Sequence, residues 1–465
     1  MLSGVKFVCV ASTAALTLMC TGCALQSPKP VVPATPDAFA NLQDPEQGHW
    51  PSSEWYRGFA SQELDALIAQ ASDANLDLAA ARARLAQATA RARQAGAALL
   101  PSVDAGADGN FLAGHSTNGN AHETDWSALV SASYEVDFWG KNRATAAAAT
   151  YLGAAARADR DTVALTTLAG VADGYFAVLS LNERLEVARL NRAAARSLVD
   201  AIEVRFRAGM SNPVELATQR ALLANAETTI LELQQQQAES LTALALLVGQ
   251  PPEGFHIPPE PLAALMEPSI GAGLPSELLT RRPDIYVAEA NLRAADANLV
   301  AARAALLPSL SLTAAGGIQN PAMQAAVITL SGAGPTLNLG AGLMQTIFDG
   351  GRLRALRAEA QAKDEELVAA YRGAILAAFV DVENALSAIH HLEAMRDFQN
   401  ESLAQSERAL EGAQLRYRRG SGDFLTLLEA QQILYAARDQ YSQYRLARLQ
   451  ARVSLCKALG GGWHP

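Results

Sequence analysis

Residues 204–220 read VRFRAGMSNPVELATQR, and residues 415–431 read LRYRRGSGDFLTLLEAQ. Each passage places Arg-aromatic-Arg-x-Gly at the end of a long helical pattern and restarts an apolar helix a few residues later. Arg205, Phe206, Arg207 and Gly209 fall against Arg416, Tyr417, Arg418 and Gly420, an offset of 211. LLPSVDAGAD from Leu99 is echoed by LLPSLSLTAA from Leu306 at an offset of 207, and DFWGKNRATAAAA from Asp137 by IFDGGRLRALRAE from Ile347 at 210. Chance similarity between alanine-rich helices explains one such match. Three in one order at one spacing require a duplicated unit of about 200 residues, far longer than a solenoid repeat.

Within the first copy, taken as 62–249, residues 62–98 carry Leu64, Leu67, Ile68, Leu76 and Leu85 at helical positions until Pro101 stops the pattern. The period then changes to two. Trp126, Ala128, Val130, Ala132, Tyr134, Val136 and Phe138 alternate with Ser127, Ser131, Ser133, Glu135 and Asp137. A soluble sandwich shows such alternation too, but a membrane strand better explains its length and its terminal aromatics. A β-hairpin is therefore expected over 102–139, with its loop at 114–123. Helix follows over 142–208 with no convincing breaker, a length of about 100 Å at 1.5 Å per residue. Pro213 suits the first turn of the next helix, 213–249, so a helical hairpin has its tip at 209–213.

Residues 250–275, rich in Pro and Gly, link the copies. The second copy, 276–459, repeats the plan: a helix in which Pro283 starts or interrupts the pattern, a β region over 309–348, helix over 351–419, a tip at 420–423, and helix over 424–459. Residues 460–465 form a tail.

A helix of 100 Å exceeds any ordinary globular core and needs partner helices along most of its length. Composition agrees: hydrophobic residues are 50% but aromatics only 6%, so the apolar content is mainly Ala, Leu and Val, which suits closely packed helices. Four strands cannot close a membrane barrel, and open edges in lipid leave backbone groups unpaired. Several chains must complete it. The expected fold mixes a transmembrane β-barrel with a long α-helical barrel, internally duplicated and oligomeric.

The first 22 residues carry Lys6 and then FVCVASTAALTLM, too short a core to cross a bilayer comfortably, and read as a signal peptide. Thr21-Gly22-Cys23 resembles a bacterial lipobox, with Cys20 where that motif has Leu; ordinary cleavage nearby is the alternative. Cys23 is the expected lipid attachment point, and Ala24 rather than Asp after it implies the outer membrane. Residues 23–61 read as an extended, lipidated tether. Of four cysteines, only Cys456 then remains, so no intramolecular disulfide is expected.

Net charge is −10, and no dense Lys/Arg run or interleaved aromatic platform points to nucleic acid. No P-loop, dinucleotide fingerprint or metalloprotease motif occurs. Glu135 and Asp137 share a strand face but lack a nucleophile and base beside them, and read as lumen acids near the barrel's periplasmic end. His115 and His122 lack a fixed-spacing ligand set, and the adjacent His390 and His391 face different directions. Neither an enzyme nor a cofactor or metal site is expected.

The Leu-Pro-Ser strand starts, LLTRRPDIYVAEANLRAADANL, IFDGGR and the twin RFRAG and RYRRG passages together resemble the outer-membrane efflux protein family. The closer likeness is to its lipoprotein branch, the outer-membrane factors of resistance-nodulation-division pumps. The resemblance covers nearly all of the mature chain. It implies a homotrimer with a twelve-stranded barrel and a periplasmic helical tunnel, docked through a periplasmic adaptor to an inner-membrane pump. Drugs or other small toxic compounds would be conducted passively; an exit duct for type I secreted polypeptides is the alternative. It also implies a gate at the tips, where an acidic pair three residues apart falls at Thr426 and Glu429, with Glu215 in the matching place after the first tip. Helix-start carboxylates favoured by the helix dipole are the competing account. Arg205, Gly209, Arg416 and Gly420 fall on the adaptor-docking surface, although Arg in a last helical turn also suits the dipole.

Overall fold

The computed structural model describes residues 35–40, 49–116, 119–320 and 334–464. The signal segment, Cys23 and most of the expected tether lie outside the described residues. Among the described residues, eight α-helices and four strands follow in the order α1 Gln62–Ala74, α2 Leu76–Ala97, β1 Ser102–Ser116, β2 Gly119–Val136, α3 Lys141–Arg207, α4 Pro213–Val248, α5 Pro275–Arg281, α6 Pro283–Ala304, β3 Ser309–Asn320, β4 Gly334–Met344, α7 Arg352–Arg418 and α8 Phe424–Ala458. Both α3 and α7 are unbroken over 67 residues. The chain forms two compact units.

One unit holds residues 90–152 and 291–369 and contains the sheet, antiparallel in the order β1-β2-β3-β4. Strands β1 and β2 continue to Ser116 and from Gly119, so the loop expected over 114–123 is mostly strand. The register joins the period-two patterns into whole faces. Val103 opposes Ala132, Ala132 opposes Ala314, and Ala314 opposes Leu339. Directly opposed residues project to the same side, so Val130, Tyr134, Leu312, Leu337 and Leu343 belong to this apolar face too. Asp104, Ser131, Ala315 and Asn338 lie in one row of the other, largely polar face. The apolar face is uncovered: Leu337, Leu339 and Leu343 are 74–77% exposed. A chain surrounded by water would bury such a face, whereas lipid leaves it free.

Each sheet-to-helix corner is capped by an aspartate. Asp137 accepts from the backbone N–H groups of Asn142 (3.0 Å) and Arg143 (2.8 Å), and Asp349 accepts from those of Gly351 (3.0 Å) and Leu353 (2.9 Å). Glu135 pairs with Lys141 at 2.6 Å. The two acids expected on the lumen face thus hold a corner together, and Asp137 lies just beyond the strand's end.

The other unit holds residues 33–89, 153–290 and 370–465. Its main core gathers Phe59, Leu64, Ile68, Tyr175, Phe176, Leu244 and Val453, with the Phe59 and Phe176 rings 4.9 Å apart. The last part of the expected tether is therefore packed: Trp55–Phe59 make a 3₁₀ turn whose ends are buried. Ser61 caps α1 through Leu64 N–H (3.3 Å) and donates to Glu260 (2.7 Å), which also accepts from the Tyr175 hydroxyl.

The single helix expected over 62–98 is two. Asn75 adopts an extended conformation, accepts from Leu78 N–H at 2.9 Å and donates to the Leu247 carbonyl at 2.8 Å, so it caps α2 while fastening to α4. Its counterpart at an offset of 207 is Arg282, held extended by Pro283. Arg282 is buried, bonded to Asp284 (2.9 and 2.5 Å), Asp381 (3.0 Å) and the Ala458 carbonyl (3.1 Å). The RRPD segment therefore ties the second copy's entry helix to the chain's last helix.

Candidate functional site: the paired helical tips

The twin passages end α3 and α7 in the same way. At the first, Gly209 has φ 72°, its N–H reaches the Phe206 carbonyl (3.0 Å), and Met210 N–H reaches that of Arg205 (2.8 Å). At the second, Gly420 also has φ 72°, bonding to Tyr417 (3.1 Å), and Ser421 bonds to Arg416 (3.0 Å). These are paired Schellman closures, which satisfy the last carbonyls and require the left-handed conformation that glycine adopts without strain.

The restarts are equally matched. Asn212 Oδ1 accepts from Glu215 N–H at 2.9 Å, and Asp423 Oδ1 accepts from Thr426 N–H at 2.8 Å. Side chains complete both caps. Glu215 receives bonds from Ser211 (2.5 Å) and Asn212 (3.2 Å), while the Thr426 hydroxyl donates to Asp423 (2.8 Å). Hydrogen bonds from Thr426, backbone first, hold the Asp423 carboxyl below the usual range. Glu215 and Thr426 are thus occupied in capping, the job that their residue types favour at a helix start. Glu429 differs. It stands exposed one turn on and makes no ion pair among the described residues.

Between the hairpins lies a core of Val199, Ile202, Leu216, Leu223, Leu410, Tyr417, Leu427 and Leu434. Arg205 crosses it: its guanidinium sits 4.7 Å from the Tyr417 ring centroid and donates to the Tyr417 carbonyl at 3.3 Å. Arg416, the sequence counterpart of Arg205, is exposed. Arg207 pairs instead with Glu203 at 2.9 Å, which Arg220 also approaches at 3.4 Å. Of these arginines, Arg205 holds the hairpins together, Arg207 pairs along its own helix and Arg416 faces outward.

Deeper still, Gln219 and Gln431 are fully buried and joined at 3.4 Å. Gln431 donates to the Tyr435 hydroxyl (3.0 Å), which donates to the Asn191 carbonyl (2.9 Å). This polar chain was not foreseen in the sequence. Its signal was there: two glutamines 212 positions apart, each about two turns into a restarting helix. Nothing in this arrangement places a nucleophile beside a base. What it does is pack the two hairpins against each other at their ends.

The outer membrane efflux protein family model matches residues 67–250 and 274–461, the two copies in turn. The pyoverdine export outer membrane protein OpmQ of Pseudomonas aeruginosa is 44% identical, over 88% of this chain and 87% of its own. The toluene efflux pump outer membrane protein TtgF of Pseudomonas putida is 31% identical over 97% and 96%. Among solved structures, the open state of the Neisseria gonorrhoeae MtrE outer membrane channel superposes with a TM-score of 0.81 at 28% identity, covering 94% of this chain and 97% of that one. With both copies matched and the fold shared throughout, the chain belongs to the outer membrane efflux protein family.

Proposed function

We propose that this chain is the passive outer-membrane duct of a tripartite efflux system, assembled as a homotrimer. It would be joined to an inner-membrane resistance-nodulation-division pump through a periplasmic adaptor. The carrying observation is the sheet, with one continuous apolar face uncovered and both edge strands, β1 and β4, unpaired among the described residues. Edges in lipid must be paired. Three copies meeting edge to edge would give twelve strands, with the polar face lining the lumen. Domain limits follow the two copies, and Cys23 would carry the lipid anchor.

At the tips, Gly209 and Gly420 would present the turn backbone to the adaptor, with Arg416 outward and Arg205 holding the hairpins. Glu429 is the gate acid of this reading, with Thr426 and Glu215 as flanking caps. The duct catalyses nothing and needs no cofactor; energy comes from the pump. Native mass spectrometry of the purified chain tests the assembly. A trimer that dissociates on heating supports it, and a stable monomer in detergent and in bilayers contradicts it.

Cargo has one specific pointer. The 44% identity to a pyoverdine export protein exceeds the 31% to a toluene efflux protein. A siderophore is therefore the first cargo to test among small compounds. Loss of the chain should trap it in the periplasm, and unchanged export would exclude it.

A further inference from the structure

The motifs that lead into and out of the sheet occur twice, but only one exit meets an entry of another hairpin inside the chain. Asp137-Phe138-Trp139-Gly140 leads out of β2, and Leu306-Leu307-Pro308-Ser309 leads into β3, its neighbour in the sheet. Val136, the last residue of β2, opposes Leu310. Beside that pair the exit closes on the entry. The Trp139 indole N–H donates to the Pro308 carbonyl at 2.8 Å, and the Phe138 ring packs edge-on against Trp139 at 4.8 Å. Both aromatic residues line a cavity of about 230 Å³ together with Leu307 and Pro308.

The counterparts in the repeat are Leu99-Leu100-Pro101-Ser102, which leads into β1, and Ile347-Phe348-Asp349-Gly350, which leads out of β4. Their local geometry is shared. Gly140 and Gly350 are both left-handed, at φ 80° and 67°, and the Ser102 and Ser309 hydroxyls each reach a carbonyl of the adjoining strand at 3.5 Å. Their surroundings differ. β1 and β4 lie at opposite edges of the sheet, three strand spacings or about 14 Å apart. Ile347 is 97% exposed, Phe348 90% and Leu100 69%. Large apolar side chains bared together mark a surface that another molecule covers.

The internal repeat says which molecule. In an edge-to-edge homotrimer, β4 of one copy adjoins β1 of the next, as β2 adjoins β3 within a copy. Antiparallel order puts the β4 exit and the β1 entry at the same end of the sheet. We propose that Ile347 and Phe348 of one copy dock on Leu99, Leu100 and Pro101 of the next. This rebuilds across each seam the corner that Phe138 and Trp139 form with Leu307 and Pro308. The inference rests on the homotrimer reading and adds to it the side chains that lock the seam. Asp349 stands where the indole donor Trp139 does, so the seam corner lacks that hydrogen bond and holds by apolar burial. Lipid is the alternative cover. The in-chain corner, which turns its aromatic pair onto the next strand's entry, favours the second copy.

The test is oxidative cross-linking of the full chain in detergent, with native mass spectrometry of the same samples reporting assembly. Phe348→Cys combined with Leu100→Cys is expected to give covalent dimers and trimers on non-reducing gels. The two single variants co-expressed should give dimers only. Each single variant alone, and the parent with its buried Cys456, should give neither. Phe348→Ala, which introduces no thiol, should speed dissociation of the trimer at a fixed temperature about tenfold or more, the loss of one buried aromatic side chain per seam. A native trimer that neither cross-links in the double variant nor loosens in Phe348→Ala would leave these side chains to lipid and overturn the inference. A chain that stays monomeric would overturn the homotrimer reading, and this inference with it.

Discussion

The guanidinium of Arg205 lies over the ring of Tyr417, one from each of the two passages that repeat along the chain, with 4.7 Å between cation and ring centroid. The same pair carries a 3.3 Å hydrogen bond to the Tyr417 carbonyl. Duplication has thus given two similar tips unequal jobs: Arg205 bridges the hairpins while its counterpart, Arg416, faces outward.

Removing the bridge should loosen the tips. A partly buried cation–π contact contributes about 0.5–2 kcal/mol. Arg205→Ala is expected to raise closed-state leak in bilayer recordings, whereas Arg416→Ala should leave it unchanged. Equal behaviour of the two variants would mean that the bridge does not restrain the tip.

Gly209 and Gly420 each hold φ at 72° with open space around the missing side chain. Alanine at either place meets no neighbour, so only backbone strain remains, about 1–2 kcal/mol. Thermal unfolding should therefore report similar losses for Gly209→Ala and Gly420→Ala. A large difference between them would indicate that one tip is not closed as described.

For Glu429, exposed and without an ion pair among the described residues, the expected effect is electrostatic. Glu429→Ala should reduce cation preference with little change in stability. Conductance and selectivity matching the parent would remove Glu429 from the gate.

Much of this tip was legible from the residues, because its chemistry is local. Gly after Arg-aromatic-Arg-x endings, then Asn212 or Asp423 before a helix, follow from capping rules that need no knowledge of neighbours. The β faces were partly legible: alternation in β2 was plain, but β4 contains Gly340 and Gly342, and only the register with β3 reveals its share of the apolar face. Tertiary bonds were hidden. Asn75 looks like a mild interruption in a helical pattern until its amide is seen on the Leu247 carbonyl. Gln219 and Gln431 look like surface residues until each supplies the other's partner. Arg282 drew notice as part of a motif, yet its bonds to Asp381 and Ala458 come from residues about 100 and 176 positions away.

A pH response is expected at Asp173. Burial pushes its carboxyl up to about 6, with Lys457 acting in the opposite direction, and its Oδ1 is buried without a partner among the described residues. The folded chain therefore holds this proton more tightly than the unfolded chain. The resulting stability is fully present below the ordinary aspartate value of 3.8 and is lost as pH rises through about 6. Asp173→Asn should be more stable than the parent above pH 6, by about 1–3 kcal/mol, with the gap closing towards pH 4. A gap independent of pH would contradict this.

The central claim is that an uncovered apolar sheet face and helices of about 100 Å belong to a conducting duct. Single-channel recording of the purified full chain in a planar bilayer tests it most directly. Discrete conductance steps that disappear when the oligomer is heated apart are predicted. A chain that inserts into the bilayer as an oligomer yet passes no current would contradict the account.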